Sequence, residues 1–284
     1  MTKCGAVVLA GKPNVGKSTL LNALVGERLS IVSPKPQSTW MPVVGLLTRG
    51  DVQFIFTDSP GLLDPQYRLQ EVMRQLAVRA LTDAELIAYL HPLSDYPAPE
   101  LKTAAGLTRA PERPLVTVYT KADLVPTDRR PAVAPGSVTV SAATGEGLGA
   151  LLEELERHLP ESPFHYDADE LATQPLRFFA AEYVREAAFA VLHEELPYSV
   201  ACEIDEFREA ETPAYIRAVV YVERDSQKGI VIGQGGRTIK AIGQAARVRI
   251  EALLGRPVYL DLHVKVLPRW RTHDPSLKRL GYAP

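Results

Sequence analysis

The run Gly11-Lys12-Pro13-Asn14-Val15-Gly16-Lys17-Ser18 constrains this chain more than any other feature. It has the form GxxxxGK[ST] and stands between a short apolar run, Gly5 to Ala10, and a stretch, Lys17 to Val25, whose apolar residues recur at spacings of three and four. Strand, glycine-rich turn and helix N-terminus in that order make a phosphate cradle. The glycines let backbone N–H groups turn inward, and the helix start adds partial positive charge. Lys17 is placed to reach the terminal phosphates of a nucleotide and Ser18 to hold Mg²⁺. Gly11, Asn14, Val15, Gly16 and Thr19 are the further residues expected to line the phosphates.

The surrounding pattern agrees with such a cradle. Apolar runs at Pro42 to Leu47, Val52 to Thr57, Leu86 to Leu90, Leu115 to Tyr119 and Ser137 to Val140 alternate with helical spacing at Tyr67 to Leu81 and Leu148 to Leu159. That alternation predicts an α/β domain with a mostly parallel sheet and helices on both faces. Pro126, Pro131 and Pro135 make a loop or one short turn of residues 124–136. A length of 284 residues leaves room for a second domain. The acidic, aperiodic stretch Pro160 to Gln174 divides the chain into a nucleotide domain at 1–159, a linker at 160–174 and an α+β domain at 175–284. The second pattern is a helix from Pro175 to Leu196, strands at Ser199 to Phe207 and Tyr215 to Arg224, and a helical turn at Ser226 to Ile232. A helix from Arg237 to Leu254 and a strand from Val258 to Val266 complete it. The apolar run at the start is too brief for a signal peptide or a membrane span, which points to the cytoplasm. Cys4 and Cys202 lack metal-ligand spacing and are expected as reduced thiols.

Three more motifs follow successive strands. Asp58-Ser59-Pro60-Gly61 offers a carboxylate for Mg²⁺ and a Gly61 N–H for a γ-phosphate. In Thr120-Lys121-Ala122-Asp123 the carboxylate can accept both N–H donors on the edge of guanine, which adenine lacks, so GTP or GDP is favoured over ATP. Ser141-Ala142-Ala143 is placed for backbone contact with the guanine oxygen. Each of the three alone could be a capped turn, and their order makes coincidence improbable. GKPNVGKS, DSPG, TKAD and SAA, with GKPNVGKSTLLNALVG and SPKPQST, resemble the Era family of translation-factor-related GTPases. The resemblance implies GTP hydrolysis, with Thr39, or failing it Ser38, as the switch threonine that meets Mg²⁺ alongside Ser18 and Asp58. It makes Asn14, Lys17, Thr39 and Gly61 the candidate catalytic set. Leu62 follows Gly61 and cannot orient water. Asn14 is either a helper for K⁺ near the transferred phosphate or a residue that tolerates an unusual backbone angle. Thr120 stands where the family usually has asparagine, Trp40 where it has arginine and Ser59 where it has threonine. An alternative reading is a nucleotide-stabilised assembly module with little hydrolysis.

The net charge of -2 conceals an asymmetry, since residues 226–284 hold eleven Lys and Arg against three Asp and Glu. Charge alone leaves a polyanionic partner and a solvated surface equally open. Ile232-Gly233-Gln234-Gly235-Gly236 joins two helical segments and has the GXXG form of a KH loop. The order of helix, two strands, two helices and strand matches a prokaryotic-type KH domain. Lys228, Arg237, Lys240, Arg247 and Lys265 are candidate phosphate partners for RNA. SQKGIVIGQGGRTIKAIG and PVYLDLHVKVLPRW are similar to the C-terminal domain of the Era family. That resemblance implies the 3′ region of 16S ribosomal RNA and the small ribosomal subunit as partners, a monomer, and at most a peripheral contact with the inner membrane.

Overall fold

In the computed structural model, residues 1–282 are described, and they divide into two compact units. The first comprises residues 1–66 and 70–173, and the second residues 67–69 and 174–282.

The first unit is built on a six-stranded sheet of β1 (Lys3–Ala10), β2 (Val43–Arg49), β3 (Val52–Asp58), β4 (Leu86–Pro92), β5 (Leu115–Thr120) and β6 (Val138–Thr139). The strand order is β2-β3-β1-β4-β5-β6, and every pairing is parallel except the β2–β3 hairpin. The hairpin turns at Gly50, whose φ of +57° is left-handed backbone that a Cβ would oppose. β1, β3 and β4 are almost wholly buried, as parallel strands covered on both faces must be. Around them lie α1 (Lys17–Val25), α2 (Arg68–Asp83), the four-residue α3 (Leu101–Ala104) and α4 (Leu148–His158). The chain leaves β1 toward β2 and β3 on one side of the sheet and leaves β4 toward β5 on the other, so the ends of β1 and β4 flank a topological switch point where such sheets open a crevice.

Residues 160–173, expected as a linker, run along this unit instead. Cys4 N–H donates to Pro160 O at 3.4 Å and Leu46 N–H to Leu171 O at 2.9 Å. The anchor is Gln53, a fully buried amide inside β3. Its Oε1 accepts the N–H groups of His165 and Tyr166 at 2.9 and 3.1 Å, and its Nε2 donates to Tyr166 O at 2.9 Å. A buried amide needs such partners, and the irregular segment supplies them.

The second unit contains α5 (Leu176–Val191), β7 (Ala201–Arg208), β8 (Ala214–Val222), α6 (Asp225–Ile232), α7 (Arg237–Leu254), β9 (Val258–Val266) and α8 (Asp274–Arg279). The sheet order is β7-β8-β9, antiparallel then parallel, with α6 and α7 forming the crossover between β8 and β9. Ala214, Ile216, Ala218, Val220 and Val222 of β8 are fully buried at alternate positions. α5 stops five residues before its expected end, at Val191, and Glu194 then takes a left-handed φ of 52°. The tail beyond β9 carried no expectation, yet it is part of the core. Trp270 is fully buried and donates its indole N–H to Ser199 O at 3.0 Å. Truncating it would cost about 3–5 kcal/mol.

Candidate nucleotide site and candidate nucleic-acid interface

The loop between β1 and α1 has the backbone that its glycines allow. Gly11 and Gly16 have φ of 153° and 102°, and a Cβ on Gly11 would lie 2.6 Å from Leu90 O. Asn14 is also left-handed, at φ 63°. Its Nδ2 donates to Pro34 O at 3.1 Å, so it does more than tolerate the angle. No protein donor reaches its Oδ1 among the described residues. Lys17 is 6% exposed and donates from Nζ to Gly11 O and Lys12 O at 3.2 and 3.0 Å. Burial lowers its pKa to about 8, against the pull of Asp58.

Asp58, at the end of β3, is fully buried. Its Oδ2 accepts the Ser18 hydroxyl at 2.7 Å and faces Thr39 Oγ1 at 3.5 Å, and the two hydroxyls are 3.0 Å apart. Its Oδ1 has no hydrogen-bond partner among the described residues. Burial raises the carboxyl pKa, opposed by Lys17 and by the Ser18, Ser30 and Thr39 hydroxyls. An orphaned carboxylate oxygen beside two hydroxyls is a hard, all-oxygen set, and it fits Mg²⁺. Among the described residues Thr39, and not Ser38, bonds to this group. Gly61 presses its Cα against the loop, where a Cβ would come within 2.8 Å of the Pro13 nitrogen. The next residue, Leu62, donates its N–H to Gly11 O at 3.0 Å and buries its side chain among Val8, Ala10, Ala77 and Leu81.

Pro13, Asn14, Gly16 to Thr19, Thr39, Gly61 and Lys121 line a cleft of about 430 Å³. A second hollow of about 230 Å³ is lined by Thr120, Lys121, Asp123, Ala142 and Ala143, and Gly16, Thr19 and Lys121 border both. Phosphate and base motifs therefore meet in one groove. Ser141 is fully buried below it and donates from Oγ to Asp123 Oδ1 at 2.6 Å, which orients the carboxylate.

In the second unit, α6 ends at Gly233, whose φ is 73° and where a Cβ would sit 2.2 Å from Thr238 Oγ1. Gly235 and Gly236 are left-handed too, at φ 59° and 77°, with nothing within 4 Å of a Cβ. Gln234, Gly235, Arg237 and Lys240 are exposed, while Lys228, Ile232, Gly233 and Gly236 are half-buried around them. Lys240 and Arg247 of α7 and Tyr259, Leu260 and Leu262 of β9 line a groove of about 350 Å³. Tyr259, 59% exposed, was not anticipated, because an aromatic at the edge of a strand reads as ordinary β pattern. Lys265 alternates with Val264 and Val266, so it stands with Asp261 and His263 on the sheet face opposite Leu262, which packs on α7. The loop and Lys240 come together, and Lys265 does not join them.

Comparison with known proteins decides the family. A model described as a 50S ribosome-binding GTPase matches residues 6–121, and a KH domain model matches residues 195–271. GTPase Era of Thermotoga maritima is 40% identical over 96% of this chain and 94% of its own length, and that of Thermosipho melanesiensis is 41% identical over 96% and 95%. The chain belongs to the Era family of GTPases. Era from Aquifex aeolicus in complex with GDP and AlF4⁻ superposes with a TM-score of 0.92 at 35% identity, covering all of both chains. An Era structure with MgGDPNP and nucleotides 1506–1542 of 16S ribosomal RNA superposes equally well, at 0.92 and 35%.

The departures from the Era pattern have local explanations. Thr120 Oγ1 donates to Val15 O at 2.6 Å, so a hydroxyl ties the base loop to the phosphate loop where the family uses an amide. Ser59 donates to Leu9 O at 3.1 Å from a buried position. Trp40 is 3% exposed and donates its indole N–H to Gln37 O at 2.9 Å. Gln37, left-handed at φ 59°, in turn accepts Gln70 Nε2 at 2.8 Å, which joins the loop before β2 to α2.

Proposed function

We propose that this chain is a GTP-hydrolysing switch that binds 16S ribosomal RNA near its 3′ end and assists assembly of the small ribosomal subunit. The observation that carries the nucleotide half is the buried group of Lys17, Ser18, Thr39 and Asp58, with an orphaned carboxylate oxygen, in one groove with Asp123. Lys17 holds the terminal phosphates, and Gly61 offers its N–H to the γ-phosphate. Ser18, Thr39 and Asp58 hold Mg²⁺, which neutralises charge on the transferred phosphoryl group. Asp123, oriented by Ser141, accepts the two guanine donors, and the Ala142 and Ala143 backbone meets the guanine oxygen. Thr39 comes from the loop before β2, so loss of the γ-phosphate releases that loop.

With Leu62 buried in the core, the chain has no water-orienting side chain at the position after Gly61. Asn14, whose Oδ1 is free of protein donors, is the side chain that holds a K⁺ ion, whose positive charge takes part of an arginine finger's role. In the second unit, the Ile232–Gly236 loop admits an RNA backbone because Gly235 and Gly236 leave open space. Arg237, Lys228 and Lys240 supply phosphate partners. The proposal includes a monomer acting in the cytoplasm, with any membrane contact peripheral. Among the described residues no helix is long and apolar enough to cross a membrane.

Multiple-turnover phosphate release at saturating GTP tests this, in K⁺ against Na⁺ buffer and with or without a single-stranded RNA of the 16S 3′ end. Slow basal release that rises with K⁺ and with RNA is expected. GTP binding with no release under any condition would establish the assembly module with little hydrolysis instead.

A further inference from the structure

The proline-containing segment 124–136 supplies a side chain that returns to the base pocket. Arg130 donates from Nη2 to Ala122 O at 2.9 Å and from Nε to Val125 O at 3.0 Å. Ala122 is the residue between Lys121 and Asp123, so the guanidinium grips the base-reading loop itself. The same guanidinium holds the Glu146 carboxylate bidentately, through Nη2 to Oε2 at 3.3 Å and through Nη1 to Oε1. Glu146 closes the neighbouring loop, because its carbonyl accepts the Ser141 N–H at 2.9 Å. Ser141 in turn orients Asp123 through the 2.6 Å bond described above. One side chain therefore spans the loop that carries Asp123 and the loop that carries Ser141, Ala142 and Ala143.

The acceptors sort its role. Every side-chain hydrogen bond of Arg130 goes to one of the two loops, and its side chain is 20% exposed against 45% for Glu146. The fork shape matters, since a planar guanidinium satisfies two carbonyls and a carboxylate at once and an ammonium does not. Lys121 precedes this turn in a left-handed conformation, φ 58°.

We propose that Arg130 is a positioning residue for guanine recognition: it fixes the spacing between the Asp123 carboxylate and the Ser141–Ala143 backbone. The inference rests on the reading of the groove as a guanine-nucleotide site. Removing Arg130 leaves Glu146 half-exposed and hydrated, so the fold is spared while the two loops move apart. A misplaced base site weakens ground-state and transition-state binding alike, which raises KM and leaves kcat.

Steady-state GTP hydrolysis and GDP titration of the full chain test it, with Arg130→Ala, Arg130→Lys and Asp123→Ala. Arg130→Ala is expected to raise KM for GTP and Kd for GDP about tenfold, with kcat within about twofold of the parent. Arg130→Lys should fall between the two. The melting temperature of the nucleotide-free protein should hold, while its rise on adding GDP shrinks. Unchanged KM and Kd in Arg130→Ala, beside a large loss in Asp123→Ala, would overturn the inference and leave the nucleotide reading intact. A drop in kcat together with the nucleotide-free melting temperature would overturn it too, by making Arg130 merely structural. If Asp123→Ala keeps its guanine affinity, the reading of the groove fails and the role of Arg130 falls with it.

Discussion

The two candidate sites of this chain are built on opposite terms. In the nucleotide groove the polar groups are inside: Lys17, Thr39, Asp58 and Ser141 are all under 10% exposed and each is hydrogen-bonded within the groove, Lys17 to Gly11 O, Thr39 to Asp58 and Ser141 to Asp123. At the GXXG loop the groups are outside, and Gly235 and Gly236 face open space. A buried site is preorganised at the expense of desolvated charge, and it recognises a ligand that replaces what the protein already lacks, such as a partner for Asp58 Oδ1. An exposed loop stores nothing. Its affinity comes from backbone approach and from counterion release, so it answers to salt where the groove answers to protonation.

Lys17→Ala should have the largest effect, since it removes the only buried cation among the phosphate-loop residues. GTP affinity is expected to fall by about a hundredfold or more. RNA binding by the second unit should stay within about twofold, because its core is separate. Equilibrium titrations with a fluorescent GTP analogue and with labelled RNA measure both, and undiminished GTP affinity would sink the phosphate-loop assignment.

The reverse experiment is Gln234→Asp with Gly235→Asp. Two carboxylates would stand where phosphates approach, and the second would force a side chain onto left-handed backbone. RNA affinity should drop by about ten- to a hundredfold at fixed salt, with GTP affinity and K⁺ dependence retained. Tight binding of the single-stranded 16S tail by the double variant would count against the KH loop as the RNA site.

The smallest effect is one of pH, and it belongs to the buried site alone. The pKa of Lys17 in the free protein is lowered to about 8, below its ordinary 10.5, by burial. Below about 8 the ammonium is charged and its burial penalty is fully present. As pH rises from 8 toward 10.5 the folded protein holds fewer protons than the unfolded chain, and the nucleotide-free protein gains stability. Phosphate binding needs the charged form, so GTP binding takes up a proton. Affinity should weaken about twofold between pH 7 and pH 8 and faster above that. Calorimetric titration in two buffers of different ionisation enthalpy reads the proton uptake, and an affinity flat through pH 9 would contradict it.

Much of this was legible along the chain. α1, α7 and β9 begin and end where the residue pattern placed them, because glycines, caps and apolar spacing are local signals. The helix end at Val191, the short α3 and the burial of Trp270, Leu277 and Tyr282 in the tail were not legible. Each is set by what it packs on. Gln53 looked like a polar interruption of a strand, and Arg130 like half of a charged pair in a loop. Nothing beside either residue in sequence names its partners.

The cradle, the order of the nucleotide motifs, the KH loop and the family are written in residue type at fixed short spacing. Which groups meet across long separations is set by the packed fold. It brought Asp58 to Ser18 and Thr39, Thr120 to Val15, Arg130 to both base loops, and residues 160–173 onto the first sheet. It also parted Lys265 from the loop it was expected to serve. The physical reason is that a buried polar atom must be paired, and its partner is chosen by packing in three dimensions.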